Sequence, residues 1–184
     1  FTWKEFQTRN NSELVAIFGN FINRVMVLTQ KYYDGKVPSM GSVNDTDQAA
    51  LTKLKEFPSQ MEKQIEHYHF RAYSQEVMNL ARLGNKYLAE QEPWKRNKDQ
   101  DQKQQVQDIC SLGINLFRII LIYLKPVVPA MAEAGEFFLN DKLSWESIRK
   151  PLLSHKINQF KPLMQRVDKD KVEAMVSASK EETI

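Results

Sequence analysis

Residues 19–24 read Gly-Asn-Phe-Ile-Asn-Arg. On a helix turning about 100° per residue, Asn20 and Arg24 lie roughly 40° apart, one turn from each other. A carboxamide both donates and accepts hydrogen bonds, whereas a guanidinium only donates, in a fixed fork. Side by side on one helix edge, the pair has the chemistry to read a nucleobase. The spacing also fits the ordinary polar margin of an amphipathic helix, although Asn is a poor mid-helix residue. A second group, Glu92-Pro93-Trp94-Lys95, sets an indole in a polar turn beside a stiffening proline. Arg96, Lys98 and Lys103 follow, interleaved with Asp99 and Asp101. Single-stranded RNA is read by indoles placed this way, a stacked base contributing about 1–3 kcal/mol. The alternative is a tryptophan folded back onto the core as a lid.

Other chemistry is sparse. His67 and His69 are two apart, which on a helix points them to different faces, and no Cys or carboxylate completes a metal set around them. Cys110 stands alone in an apolar helical pattern and reads as a small core residue; a single cysteine also excludes an intrachain disulfide and fits a reducing compartment. No glycine-rich phosphate loop or dinucleotide fingerprint is present. The chain offers no catalytic residue, no cofactor site and no metal site.

The elements that must position Asn20, Arg24 and Trp94 are helices. With 184 residues the chain has room for one domain, and only six Gly and seven Pro punctuate it. A net charge of +3 leaves nucleic-acid binding to placed residues, not to bulk charge. The spacing predicts a first helix from Ser12 with Leu14, Ile17, Phe18, Phe21, Val25, Leu28 and Tyr32 inward, stopped at Asp34-Gly35. A second is expected from Thr46, with Leu51, Leu54, Met61 and Ile65 inward and Pro58 kinking it or ending its first half. A third spans about 70–90 and stops before Pro93. A fourth carries Val106, Ile109, Leu112, Leu116, Ile119, Ile120 and Tyr123 up to Pro126, and a fifth covers 127–139. A short last helix covers about 169–179. No alternation of β-branched residues supports a sheet, so the fold class is all-α: an antiparallel bundle of about five helices plus a short C-terminal one. The most apolar run, 114–124, is interrupted by Asn115 and Arg118, which argues against a membrane span. The chain begins at Phe1 and not at Met, which suggests a piece of a longer protein.

Taken together, these segments resemble the anticodon-binding domain of methionyl-tRNA synthetases. The stretch NSELVAIFGNFINRVMVLTQKYYDG, residues 11–35, is similar to that family's first anticodon-domain helix. MNLARLGNKYLAEQEPWK, residues 78–95, is similar to the segment ending in its Pro-Trp turn. LKPVVPAMAEA, residues 124–134, resembles a proline-containing helix shared by many class I synthetases. His155-Lys156-Ile157 and the run from Pro162 to Val167 resemble the family's closing segment. The chain departs from the pattern at Ala16, where many relatives carry Asn, and at Pro58.

The resemblance implies a domain that binds the anticodon loop of methionine tRNA and recognises CAU, chiefly through the wobble cytosine. It assigns hydrogen bonding to Asn20 and Arg24, stacking to Trp94 and shaping of the turn to Pro93, with Asn23 and Lys95 as flanking RNA contacts. Residues 1–10 would be the tail of a linker from a catalytic domain of the same polypeptide, 11–179 the bundle, and 180–184 a C-terminal tail. The catalytic motifs are absent, so this chain alone should not charge tRNA; the full-length cytoplasmic enzyme would use ATP and Mg. The corresponding domain of another class I synthetase, or a helical scaffold without an RNA role, are the rival readings.

Overall fold

The computed structural model describes residues 2–41 and 45–181. Helical structure opens earlier than Ser12: the Thr2 hydroxyl caps the chain by accepting from the Glu5 N–H, and Ser12 lies inside the helix, donating to Thr8 O at 2.7 Å. The first helix is continuous through α1 (Trp3–Arg9), a π-helical stretch (Asn10–Gly19) and α2 (Asn20–Tyr33). It stops where expected, with Asp34 and Gly35 both in the left-handed region at φ 51° and 69°. There follow β1 (Lys36–Val37), α3 (Asp45–Glu66), α4 (Phe70–Gln91), α5 (Pro93–Arg96), α6 (Lys103–Leu124), α7 (Pro129–Leu139), β2 (His155–Lys156) and α8 (Lys169–Glu181).

This is the expected all-α bundle, five helices and a C-terminal one, although α8 at 13 residues is longer than α7 at 11. Three small elements, α5, β1 and β2, are additions, as are the 3-10 turns Gln100–Gln102 and Trp145–Arg149. α5 is a single turn, and β1 pairs antiparallel with β2, Lys36 opposite Lys156 and Val37 opposite His155. A two-residue pairing is too short for any periodicity to announce. Pro58 does not end α3, which runs on through it. Leu54 and Met61 of that helix are buried as expected, and so is Phe57, whose ring meets Tyr123 edge-on at 5.1 Å. Ile65, expected inward, is exposed instead, because it sits on the last turn of α3 beside Tyr68 and Phe70, which also open to solvent. Leu51 lies outside the residues whose side chains are described.

The centre of the bundle is α6, antiparallel to α4. The Tyr73 hydroxyl donates to the Tyr123 carbonyl at 2.6 Å at one end of that contact, and Gly84 faces Leu116 further along. Phe18, Phe21, Val25 and Met26 bury the first helix against these two; burying a side chain of that size contributes about 1.5–3 kcal/mol. By length and composition the helical stretches Trp3–Tyr33 and Gln100–Leu124 could cross a membrane, but 89% of the apolar window in the second is buried within the bundle. Cys110 belongs to that buried surface, and burial pushes its thiol up to about 12, the behaviour of an inert core residue.

One buried carboxylate gives the fold a pH dependence. Burial alone would push the Glu136 carboxyl up. Hydrogen bonds from Lys125 Nζ at 2.6 Å, Lys142 Nζ at 2.9 Å and the Leu143 N–H at 3.0 Å outweigh it and hold the group at about 2, against an ordinary 4.5. A depressed carboxyl stabilises fully above its unfolded value and loses that contribution as pH falls from about 4.5 toward 2. The full effect is of the order of 2 kcal/mol once screening is allowed for, Lys125 being partly and Lys142 almost wholly exposed. The stability gap between the parent and Glu136→Gln, read from urea midpoints, should therefore narrow steadily between pH 5 and pH 2. A gap independent of pH would show that the charge is not what Glu136 contributes.

Candidate nucleic-acid interface

Asn20 is the first residue of α2, and Arg24 follows one turn later. Asn20 and Asn23 are exposed, Arg24 is half-buried, and among the described residues no side-chain hydrogen bond or ion pair engages any of the three. Phe21, Ile22, Val25 and Met26 on the other face are buried, so the polar edge is held outward by the packing of its neighbours.

Trp94 is presented differently. α4 ends at Gln91, Glu92 turns the chain in the left-handed region at φ 44°, and Pro93 restarts it as the first residue of α5. Pro93 is buried and anchors the turn, while the Trp94 indole is 40% exposed and meets no other ring among the described residues. More than half of the indole's surface is covered by the bundle, and the rest opens to solvent. The surrounding cations are less available than their number suggests. Arg96 is directed inward, donating to Gln102 and Gln105 at 3.1 and 2.8 Å, and Lys103 caps the Asn97 carbonyl. Lys95 pairs with Glu92 at 2.7 Å, an exposed bridge of the kind that contributes at most about 1 kcal/mol and can open for a phosphate. Lys98 has no partner among the described residues.

The first helix and α4 run in the same direction. Glu13 pairs with Arg82, the Ile17 carbonyl accepts from Asn85, and Phe21 packs over Gly84. From Ile17 to Arg24 the chain rises about 10 Å, and from Asn85 to Gln91 about 9 Å, so Arg24 and the turn carrying Trp94 end at one level. No hydrogen bond or ring contact joins Trp94 to Asn20 or Arg24. Gly84 makes the close approach possible, since a Cβ there would stand 2.6 Å from Phe21 Cε2.

Beside this edge opens a cavity of about 410 Å³ between the first helix and the closing segment, with Ala16, Asn20 and Asn23 on one wall and Phe160, Leu163 and Arg166 on the other. Asn11 pins that segment, its carboxamide donating to Val167 O at 3.0 Å and accepting from Val167 N at 2.8 Å. Neither Asn85 nor this wall was marked by local pattern, because their partners lie 68 and 156 residues away in the chain. The histidines do not sit on two helix faces: they occupy the α3–α4 turn, where their rings stack at 5.8 Å. Among the described residues no group of three or more His, Cys, Asp or Glu is arranged to hold a metal ion.

Comparison with known proteins bears on the whole chain. The family described as the anticodon binding domain of methionyl tRNA ligase matches residues 37–174, a span that includes Trp94 and begins just after the helix of Asn20 and Arg24. The methionine–tRNA ligase of Flavobacterium psychrophilum is 42% identical over 96% of this chain and 26% of its own length. That of Bacteroides fragilis is 41% identical over the same shares. The chain thus spans about a quarter of the length of these curated relatives. In structure it is similar to the free-state methionyl-tRNA synthetase of Mycobacterium tuberculosis, with a TM-score of 0.86 over 91% of this chain and 35% of that one; at 20% identity this speaks to the fold.

Proposed function

The chain belongs to the methionyl-tRNA ligase family, as its anticodon-binding domain, and on that footing we propose that it recognises the CAU anticodon of methionine tRNA through the wobble cytosine. Asn20 and Arg24 supply the hydrogen bonds, Trp94 the stacking surface, Pro93 the shape of the turn, and Asn23 and Lys95 flanking contacts to the loop. The observation that carries this reading is an unengaged amide and guanidinium level with an exposed, unstacked indole.

The base chemistry matches. Cytosine offers O2 and N3 as acceptors and an exocyclic amine as donor. Arg24 can only donate, so it suits the acceptors; Asn20 can serve either. Uracil carries a proton on N3 and a carbonyl in place of the amine. In a site fitted to cytosine it would leave polar groups facing like groups, at about 1–3 kcal/mol per unsatisfied pairing. The remaining three quarters of the relatives' length would hold the catalytic domain of a cytoplasmic enzyme that joins methionine to tRNA with ATP and Mg. This chain contributes selection of the tRNA.

The test is a titration of this chain with methionine tRNA and with the same tRNA carrying uridine at the wobble position, both at one stated salt concentration, because phosphate contacts make affinity salt-dependent. The cytosine form should bind about tenfold tighter or more. Equal affinity for the two would remove the wobble-base reading and leave only general tRNA binding.

A further inference from the structure

We propose that Asn85 of α4 is a positioning residue for base selection: it fixes the start of α2, and with it Asn20 and Arg24, against the helix that carries Trp94. The proposal rests on the wobble-base reading and concerns a residue placed outside the contact set. Its basis is the junction at which the π-helical stretch tightens into α2. There the Asn20 N–H reaches the Ile17 carbonyl, three residues back, where a regular α-helix would reach four. The same carbonyl accepts from Asn85 Nδ2 at 2.9 Å, so one oxygen ties the Asn20 backbone to α4. The amide nitrogen also lies 3.2 Å from Ala81 O on its own helix, which sets the side-chain direction.

Two further features separate this from ordinary packing. Gly84 brings α4 close enough for a side chain as short as Asn to reach the first helix's backbone. Asn85 Oδ1, by contrast, is buried and bonded to nothing among the described residues. A leucine of similar size would fill the space without burying an unpaired acceptor, so stability alone does not call for an amide at this position. What the amide adds is direction: a single bond that sets the axial register of the Asn20–Arg24 edge relative to the Trp94 turn. Base selection depends on that register, because a site loosened by about 1 Å loses discrimination before it loses general affinity.

The test repeats the cytosine-against-uridine titration with Asn85→Leu, Asn85→Ser and Asn85→Gln, each first checked by thermal melting. Leu and Ser should melt close to the parent yet bind the cytosine form about tenfold more weakly, with their preference over uridine nearly gone. Gln, which keeps the amide on a longer arm, should recover part of the preference. Folded Leu and Ser variants that discriminate as the parent does would overturn the proposal. So would variants that fail to fold without RNA, since Asn85 would then be a stability residue. If the parent itself shows no preference, the wobble-base reading fails first, and that outcome is distinct because the variants are not needed to see it.

Discussion

Trp94→Ala is expected to raise the dissociation constant for methionine tRNA by about tenfold to a hundredfold while leaving the melting curve of the free protein in place. Both halves follow from how the side chain is held. The indole is 40% exposed, touches no other ring among the described residues and lies outside the buried core, so its removal takes away surface packing and not a core side chain. Pro93 beneath it is buried, and the inward bonds of Arg96 keep α5 attached to α6 whether or not the indole is there. The turn should survive and the stacking surface should not. Trp94→Phe, which keeps a smaller ring, should fall between. The salt dependence of binding supplies an internal control: a lost stack leaves the slope of log affinity against log salt unchanged, whereas loss of a cation that touches phosphate lowers it by about one. Lys98→Ala is the cation variant to compare. A Trp94→Ala protein that melts several degrees early, or binds as tightly as the parent, would remove the platform from the mechanism.

The helices were readable because their apolar residues recur three and four apart, and that rule failed only where local geometry or position along the bundle intervened. The π-helical stretch left no trace in the pattern. Leu14, Ile17 and Phe18 look like any amphipathic stripe, yet only Phe18 is fully buried, the other two packing half-buried against the edge of the core. Pro58 carried a local signal for a break that the tertiary contacts of Phe57 and Met61 override. For the candidate site, residue types were legible and their company was not. Asn20, Arg24 and Trp94 stood out because an amide, a guanidinium and an indole sat where a plain helix or turn has little use for them. That Arg96 and Lys103 face inward, or that Asn85 reaches Ile17, depends on pairs of elements meeting in space. Local periodicity carries no information of that kind.

The same distinction governs the largest stability effect expected in this fold. Asn115 and Arg118 interrupt the most apolar run of the chain, and the structure gives the reason: one turn apart on α6, they fasten the segment that follows α7. Asn115 closes a two-bond clasp on Leu152, donating to its carbonyl at 2.9 Å and accepting from its N–H at 2.7 Å. Arg118, 4% exposed, donates to Asp141 and to the carbonyls of Ser147 and Lys150, all at 2.7 Å. Arg118→Met retains most of the volume but strands one carboxylate and two carbonyls. Removing one partner from a buried charge pair costs about 3–5 kcal/mol; Asp141 is partly exposed and can rehydrate, which favours the lower end. At about 2–4 °C per kcal/mol for a chain of this size, the melting temperature should drop by roughly 10 °C. Arg118→Lys keeps the charge without the fork and should recover only part of the loss. Adding Asp141→Asn to Arg118→Met should also recover part of it, since the stranded charge is removed while the orphaned carbonyls remain. A drop of under 2 °C in Arg118→Met would mean that the segment from Asp141 to Leu152 holds its place through apolar contacts such as Leu143 and Ile148, and that the polar break in α6 is dispensable to the fold.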